Sequence, residues 1–155
     1  MSDAVAYEGV RVITGDGTVI EEATLIVQNG TFVEVGPSSD IDDSAVGSKV
    51  DLSGKTVMPT LNNAHFHLPS EREARIRELQ QAAYYGTGAT FSFGLDEGAI
   101  GLEMRAERIP DAARSLSAGR GITAPEPGRS EVPHWVTSEE EARAAVQELA
   151  AQEVD

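Results

Sequence analysis

Two of the chain's three histidines stand two residues apart, in the run Val57-Met58-Pro59-Thr60-Leu61-Asn62-Asn63-Ala64-His65-Phe66-His67. In an extended strand, residues i and i+2 project from the same face, so the imidazoles of His65 and His67 can meet one ion. Neutral imidazole is a good ligand for a divalent metal such as zinc. Taken alone, His-x-His also fits two half-exposed strand-end histidines making ordinary hydrogen bonds. Phe66, between them, must point the other way, toward an apolar layer.

The third histidine, His134, lies in Glu131-Val132-Pro133-His134-Trp135 beside the only tryptophan. Its two readings are a substrate-binding contact in a pocket and a loop histidine packed on Trp135. Asp96 and Glu97 stand before Gly98 in a turn that follows an extended run. They could line the mouth of a site, yet Asp-Glu-Gly is also what a solvated turn looks like, and no catalytic residue is assigned from them. The absence of cysteine excludes a thiolate zinc site, a cysteine nucleophile and a disulfide scaffold together.

These side chains act together only if secondary structure positions them. Residues 1–58 read as short strands separated by turns. Val10-Arg11-Val12-Ile13-Thr14 is β-branched and runs into Gly15-Asp16-Gly17. Thr24–Gln28 and Thr31–Val35 flank Asn29-Gly30, the dipeptide best suited to a two-residue type I′ hairpin. Val50-Asp51-Leu52 and Thr56-Val57-Met58 supply two further extended pieces. From Pro59 the pattern changes to alternation. The strand carrying His65 and His67 leads to a helix over residues 71–85, opened by a Ser70-x-x-Glu73 capping box and closed by Gly86, with Ile76, Leu79 and Ala83 as its apolar stripe. Then come a strand at residues 88–94, a helix at Ile100–Arg108, a strand at Arg114–Ala118 and a long loop over residues 119–136. A second capped helix starts at Thr137-Ser138, with Ala142, Val146, Leu149 and Ala150 as its face, and a further strand is expected from Val154-Asp155. Strands alternating with helices imply βα units on a parallel sheet.

Composition limits the function classes. Twelve Lys+Arg against 26 Asp+Glu give a formal charge of −14, which argues against a nucleic-acid partner, since phosphate backbones require clustered cations. No window approaches the ~18 apolar residues of a membrane span, and the N-terminus lacks a basic segment followed by an apolar one. A cytoplasmic protein with neither nucleic acid nor membrane as partner is therefore expected.

The run Gly54-Lys55-Thr56-Val57-Met58-Pro59 leading to Ala64-His65-Phe66-His67, preceded by a hairpin ending Val-Glu-Val-Gly, resembles the N-terminus of the amidohydrolase superfamily. Ala118-Gly119-Arg120-Gly121-Ile122-Thr123 and the Pro-rich loop after it resemble the imidazolonepropionase-like and prolidase-like branch. The resemblance implies an α/β fold: residues 1–58 as a small β-sandwich segment, and residues 59–155 as the first βα units, about three, of a truncated (β/α)8 TIM-like barrel. Two positions differ from the usual pattern, Thr60 where Gly often follows the proline and Asn63 where Asp often stands two before the first histidine.

The same resemblance implies a metal-dependent hydrolase acting on an amide or cyclic C–N bond through a metal-activated water. His65 and His67 would be metal ligands for one of one or two divalent ions, most naturally zinc. Further histidines, a general-base aspartate and a bridging lysine come from later strands in the family, so the 155 residues alone would be inactive. The other reading is a non-catalytic relative or fragment serving as a structural or binding module. A closed barrel typically takes about 250 residues. A partial one would leave an open sheet edge through which copies of the chain could pair as a homo-oligomer.

Overall fold

The computed structural model of the protein describes residues 3–155. They form two compact units, one running through Pro59 and the other spanning Thr60–Asp155.

The first unit is a five-stranded mixed sheet. Strands β1 (Val5–Ile13), β2 (Val19–Gln28) and β3 (Thr31–Pro37) run antiparallel, while β4 (Ser48–Asp51) and β5 (Thr56–Val57) lie parallel to β1. Asn29 and Gly30 take φ of 52° and 74°, the pair of left-handed conformations that a two-residue hairpin needs to match strand twist. A bulge then sets the core. Tyr7 pairs with Leu25 and Val10 with Ala23, so β1 spends one extra residue there. Gly9 takes up the slack at φ +69°. The bulge reverses the alternation and keeps Tyr7, Val10 and Val12 on one face, packed with Ala23 and Leu25. Ala4, Ala6 and Ile26 form the smaller cluster on the other face.

The second unit carries the chemistry. Its three-stranded parallel sheet has the order β6 (Leu61–Phe66), β7 (Thr87–Gly94), β8 (Arg114–Arg120). Helix α1 (Arg72–Tyr84) connects the first two strands and α2 (Ile100–Arg105) the second two. The strand period of two divides the side chains into two sets. Phe66, Ser92 and Ser117 are register partners, as are Thr90 and Ser115. Phe66 packs with Leu68, Leu79, Met104 and Ala113 from the helix layer, and the four hydroxyl residues are buried beneath the helices. Small side chains there permit close approach. At Gly101 of α2 a Cβ would lie 2.8 Å from Asp96 Oδ2 and 3.0 Å from Ser117 Oγ.

Several local expectations change. Helix α1 is capped by Glu71, with no side-chain cap bond, so Ser70 and Glu73 do not form the expected box. The helix register is set instead by burial of Arg75 and Leu79, which lie one turn apart on the same face. Helix α2 ends at Arg105 rather than Arg108, closing in tight bonds from Ala106 N to Glu103 O and from Glu107 N to Met104 O. The segment 119–136 is not wholly loop: β9 (Ile122–Thr123) and β10 (His134–Trp135) pair in parallel across it. Helix α3 (Glu139–Ala151) has the full capping box between Ser138 and Glu141. Its inward residue is Ala145, while Val146 is 57% exposed, so the apolar face is rotated by about one position. After α3, Asp155 N donates to Ser117 O at 2.9 Å, bringing the chain back to the free side of β8. Among the described residues, no helix is long and apolar enough to cross a membrane.

Thr60 is accommodated by a glycine. A Cβ at Gly88 would collide with the Thr60 side chain, so the β-branched residue occupies space that only glycine leaves free.

Candidate metal centre

His65 lies on β6 and His67 one residue beyond its end. Their side chains leave the strand on the side opposite Phe66 and converge, with Nε2 of one 3.1 Å from Nε2 of the other. The rings meet edge to face, centroids 4.9 Å apart and planes at 88°, and Phe93 of β7 lies against His65 with centroids 6.0 Å apart. Asn63 Oδ1 accepts a hydrogen bond from His65 N at 3.2 Å, so the residue at the usual aspartate position braces the histidine backbone. Both rings are exposed.

Two Nε2 atoms this close either share one proton or direct both lone pairs at one ion. Zinc–nitrogen bonds of about 2.0–2.1 Å at roughly the tetrahedral angle separate two nitrogens by about 3.3–3.4 Å. The observed 3.1 Å is within a small ring rotation of that value, so the pair fits a divalent ion. It supplies only two ligands. Among the described residues no group of three His, Cys, Asp or Glu side chains is placed to hold a metal.

The pair opens onto a cleft of about 380 Å³ at the C-terminal ends of the strands, with Phe93, Leu95, Ile122 and Pro133 as apolar wall. Glu126 and Arg129 lie on its rim, joined by an exposed ion pair of 3.1 Å. The C-terminal end of a parallel sheet is where such folds assemble their chemistry, because the loops after the strands converge there. A larger hollow of about 700 Å³ lies between Leu79, Met104 and the segment 105–115. It contains no histidine and sits at the start of β8, so size alone does not mark the site.

His134 is not brought to the pair. Its backbone N donates to Gly121 O at 2.8 Å, and its Nε2 lies 3.6 Å from Glu148 Oε1 of α3. Pro133, next to it, lines the cleft in its place. Asp96 is neither a cleft residue nor a solvated turn. It is 3% exposed, forms an ion pair of 2.6 Å with Arg75 Nη2 and accepts from Ser117 Oγ at 2.5 Å. Glu97 is exposed. Arg75 and Ser117 were not legible as partners, because an arginine on a charged helix and a serine in a weak strand look like surface. The one signal was Gly101, a glycine inside a helix, which marks a close approach.

No family model matches the chain. It is 36% identical over 64 residues to an imidazolonepropionase of Geobacillus kaustophilus and 33% identical over 67 residues to a 5-methylthioadenosine/S-adenosylhomocysteine deaminase of Symbiobacterium thermophilum. The matches cover 38% and 42% of this chain and 15% of each relative. Among solved structures, it superposes on a candidate prolidase from Bifidobacterium longum with a TM-score of 0.76 and 28% identity, covering 99% of this chain and 40% of that one. A Xaa-Pro dipeptidase with methionine bound in its active site gives a TM-score of 0.71 at 19% identity, covering 98% of this chain and 45% of that one. The chain thus spans less than half the length of these proteins. Metal-dependent hydrolases are its relatives, and divalent metals are general in their superfamily. Together with the α/β architecture, these likenesses support a relation to the N-terminal part of amidohydrolase-superfamily proteins.

Proposed function

We propose that the chain contributes the first two metal ligands, His65 and His67, to a hydrolase acting on an amide or cyclic C–N bond of a small molecule. The observation that carries this is the 3.1 Å convergence of their Nε2 atoms at the C-terminal end of a parallel sheet, on the wall of a cleft. A bound divalent ion, zinc being one of those that imidazole nitrogen suits, would supply Lewis acidity and a water acidic enough to ionise near neutral pH. The chain's own residues do the rest of what it offers. Phe93, Leu95, Ile122 and Pro133 give a substrate an apolar wall and exclude water from one side of it. Asn63 holds the His65 backbone. His134 is not one of the wall residues, and its Nε2 lies 3.6 Å from Glu148 Oε1.

The test is metal content by mass spectrometry, together with amide hydrolysis measured with zinc, cobalt or manganese added. The reading expects weak or substoichiometric metal, because two imidazoles are fewer than the three protein ligands of a catalytic zinc site. Loss of that metal in His65→Ala is expected as well. Metal retained equally by wild type and H65A would contradict the assignment.

One observation favours a second reading. Since no third ligand joins the pair among the described residues, the chain by itself would be a binding or structural module of this superfamily. Metal-dependent turnover by the 155-residue chain would exclude that reading, and metal binding without turnover would support it.

A further inference from the structure

The strand ladder that holds β6 reaches Phe66, paired with Ser92 of β7, and stops one residue before His67. Something beyond the strand must therefore fix His67 if its Nε2 is to stay 3.1 Å from that of His65. Two anchors follow immediately. Leu68 is 6% exposed and belongs to the helix-layer core. The Pro69 carbonyl accepts a hydrogen bond from Arg75 Nε at 3.0 Å.

Arg75 is held in turn. Its side chain is 1% exposed and its Nη2 meets Asp96 Oδ1 at 2.6 Å. The other carboxylate oxygen accepts from Ser117 Oγ, which itself accepts from Gly119 N at 3.1 Å. A guanidinium is planar and presents its donors in a rigid fork. One side chain therefore ties the segment after His67 to the end of β7 and, through Ser117, to β8. Because Gly101 leaves room for Asp96 and Ser117, α2 closes over the network and keeps it dry. The ion pair lies on the opposite face of the sheet from the imidazoles, so it cannot touch a metal or a substrate.

We infer that Arg75, locked by Asp96 and Ser117, is the positioning residue that holds the His67 segment in register with His65. The inference deepens the metal-centre reading, and its effect on metal affinity rests on that reading, but its geometric content does not. A buried ion pair can be exchanged for apolar side chains of similar volume with little loss of stability, whereas removing one partner strands a charge. The informative variant is therefore the double replacement Arg75→Met with Asp96→Leu.

The experiment is solution NMR on the full 155-residue chain, reading the proton–proton contact between the His65 and His67 rings without metal, followed by zinc titration. In the wild type the ring contact is expected to be strong. In the double variant it is expected to fade while contacts across the Asn63–Thr90 ladder pair persist, and apparent zinc affinity should fall roughly 10–100-fold, the usual effect of losing the support of a ligating histidine. An unchanged ring contact in a folded double variant overturns the inference. Should that variant not fold, the wild type still decides: the Arg75 Nε–H signal should be protected from water exchange and close in space to Pro69, and rapid exchange would overturn the inference. If the wild type binds no zinc, the metal-centre reading fails, while the ring contact and the Arg75 signal still settle the positioning role.

Discussion

The two faces of the β6–β7–β8 sheet are built from the same strands and differ in almost every physical respect. One face displays His65, His67 and Phe93 toward solvent and the cleft. The other buries Thr90, Ser92, Ser115 and Ser117 with the Arg75–Asp96 ion pair. The open face makes few stabilising contacts and carries ligand atoms. The covered face carries no ligand atom and fixes where those atoms stand. Stability and chemistry are thus separated by the alternation of side chains along a strand, and each face should respond to a different perturbation.

The largest expected effect is on the covered face. Arg75→Ala leaves the Asp96 carboxylate buried without its cation and should destabilise the protein by about 3–5 kcal/mol, read as a lower urea midpoint with unchanged slope. Leu79→Ala, at a side chain with no exposure, should cost about 2–5 kcal/mol by leaving a cavity under α1. The same truncation on the open face should do little to the fold. His65→Ala and His67→Ala are expected to stay within about 0.5 kcal/mol of wild type while abolishing metal binding. If either costs as much as Leu79→Ala, the division between the faces is wrong.

Away from the sheet the effects shrink. Ser138→Ala removes the cap of α3, where Glu141 N donates to Ser138 Oγ, and should cost about 1 kcal/mol. Bonds from Thr137, and then from Ser138, hold the Glu141 carboxyl below its usual range, so the same variant should raise its pKa in an NMR titration. In the first unit, Asp16 is lowered from 3.8 to about 2, first by the Thr14 hydroxyl and then by the Thr18 backbone. Its folded value lies below the unfolded one. Its contribution is therefore complete above the ordinary value and is lost as pH falls through the folded one. Thr14→Val should move the Asp16 titration upward, read by NMR.

The comparison also explains how much could be read from the sequence. The Asn29-Gly30 hairpin, the alternation after Pro59 and the convergence of His65 and His67 follow from short-range rules, and the structure contains all three. Phe66 pointing to the helix layer follows from the same period of two. What escaped was set by tertiary contact. Ser70 and Glu73 satisfy the capping pattern, but burial of Arg75 and Leu79 moves the helix start by one residue. Val146 sits at a plausible apolar position, yet α3 turns Ala145 inward. Asp96 is ambiguous in sequence because nothing local tells it that Arg75, 21 positions earlier, lies beneath it. Buried polar networks are long-range features, and only their glycines leave a local trace.

The claim on which the account rests is that the two imidazoles act as one site. Calorimetric titration of zinc into the full chain tests it most directly. The account predicts weak binding in the wild type and its loss in both His65→Ala and His67→Ala, with His134→Ala unchanged. Binding that survives both single replacements, or none in the wild type at a zinc excess, would contradict it.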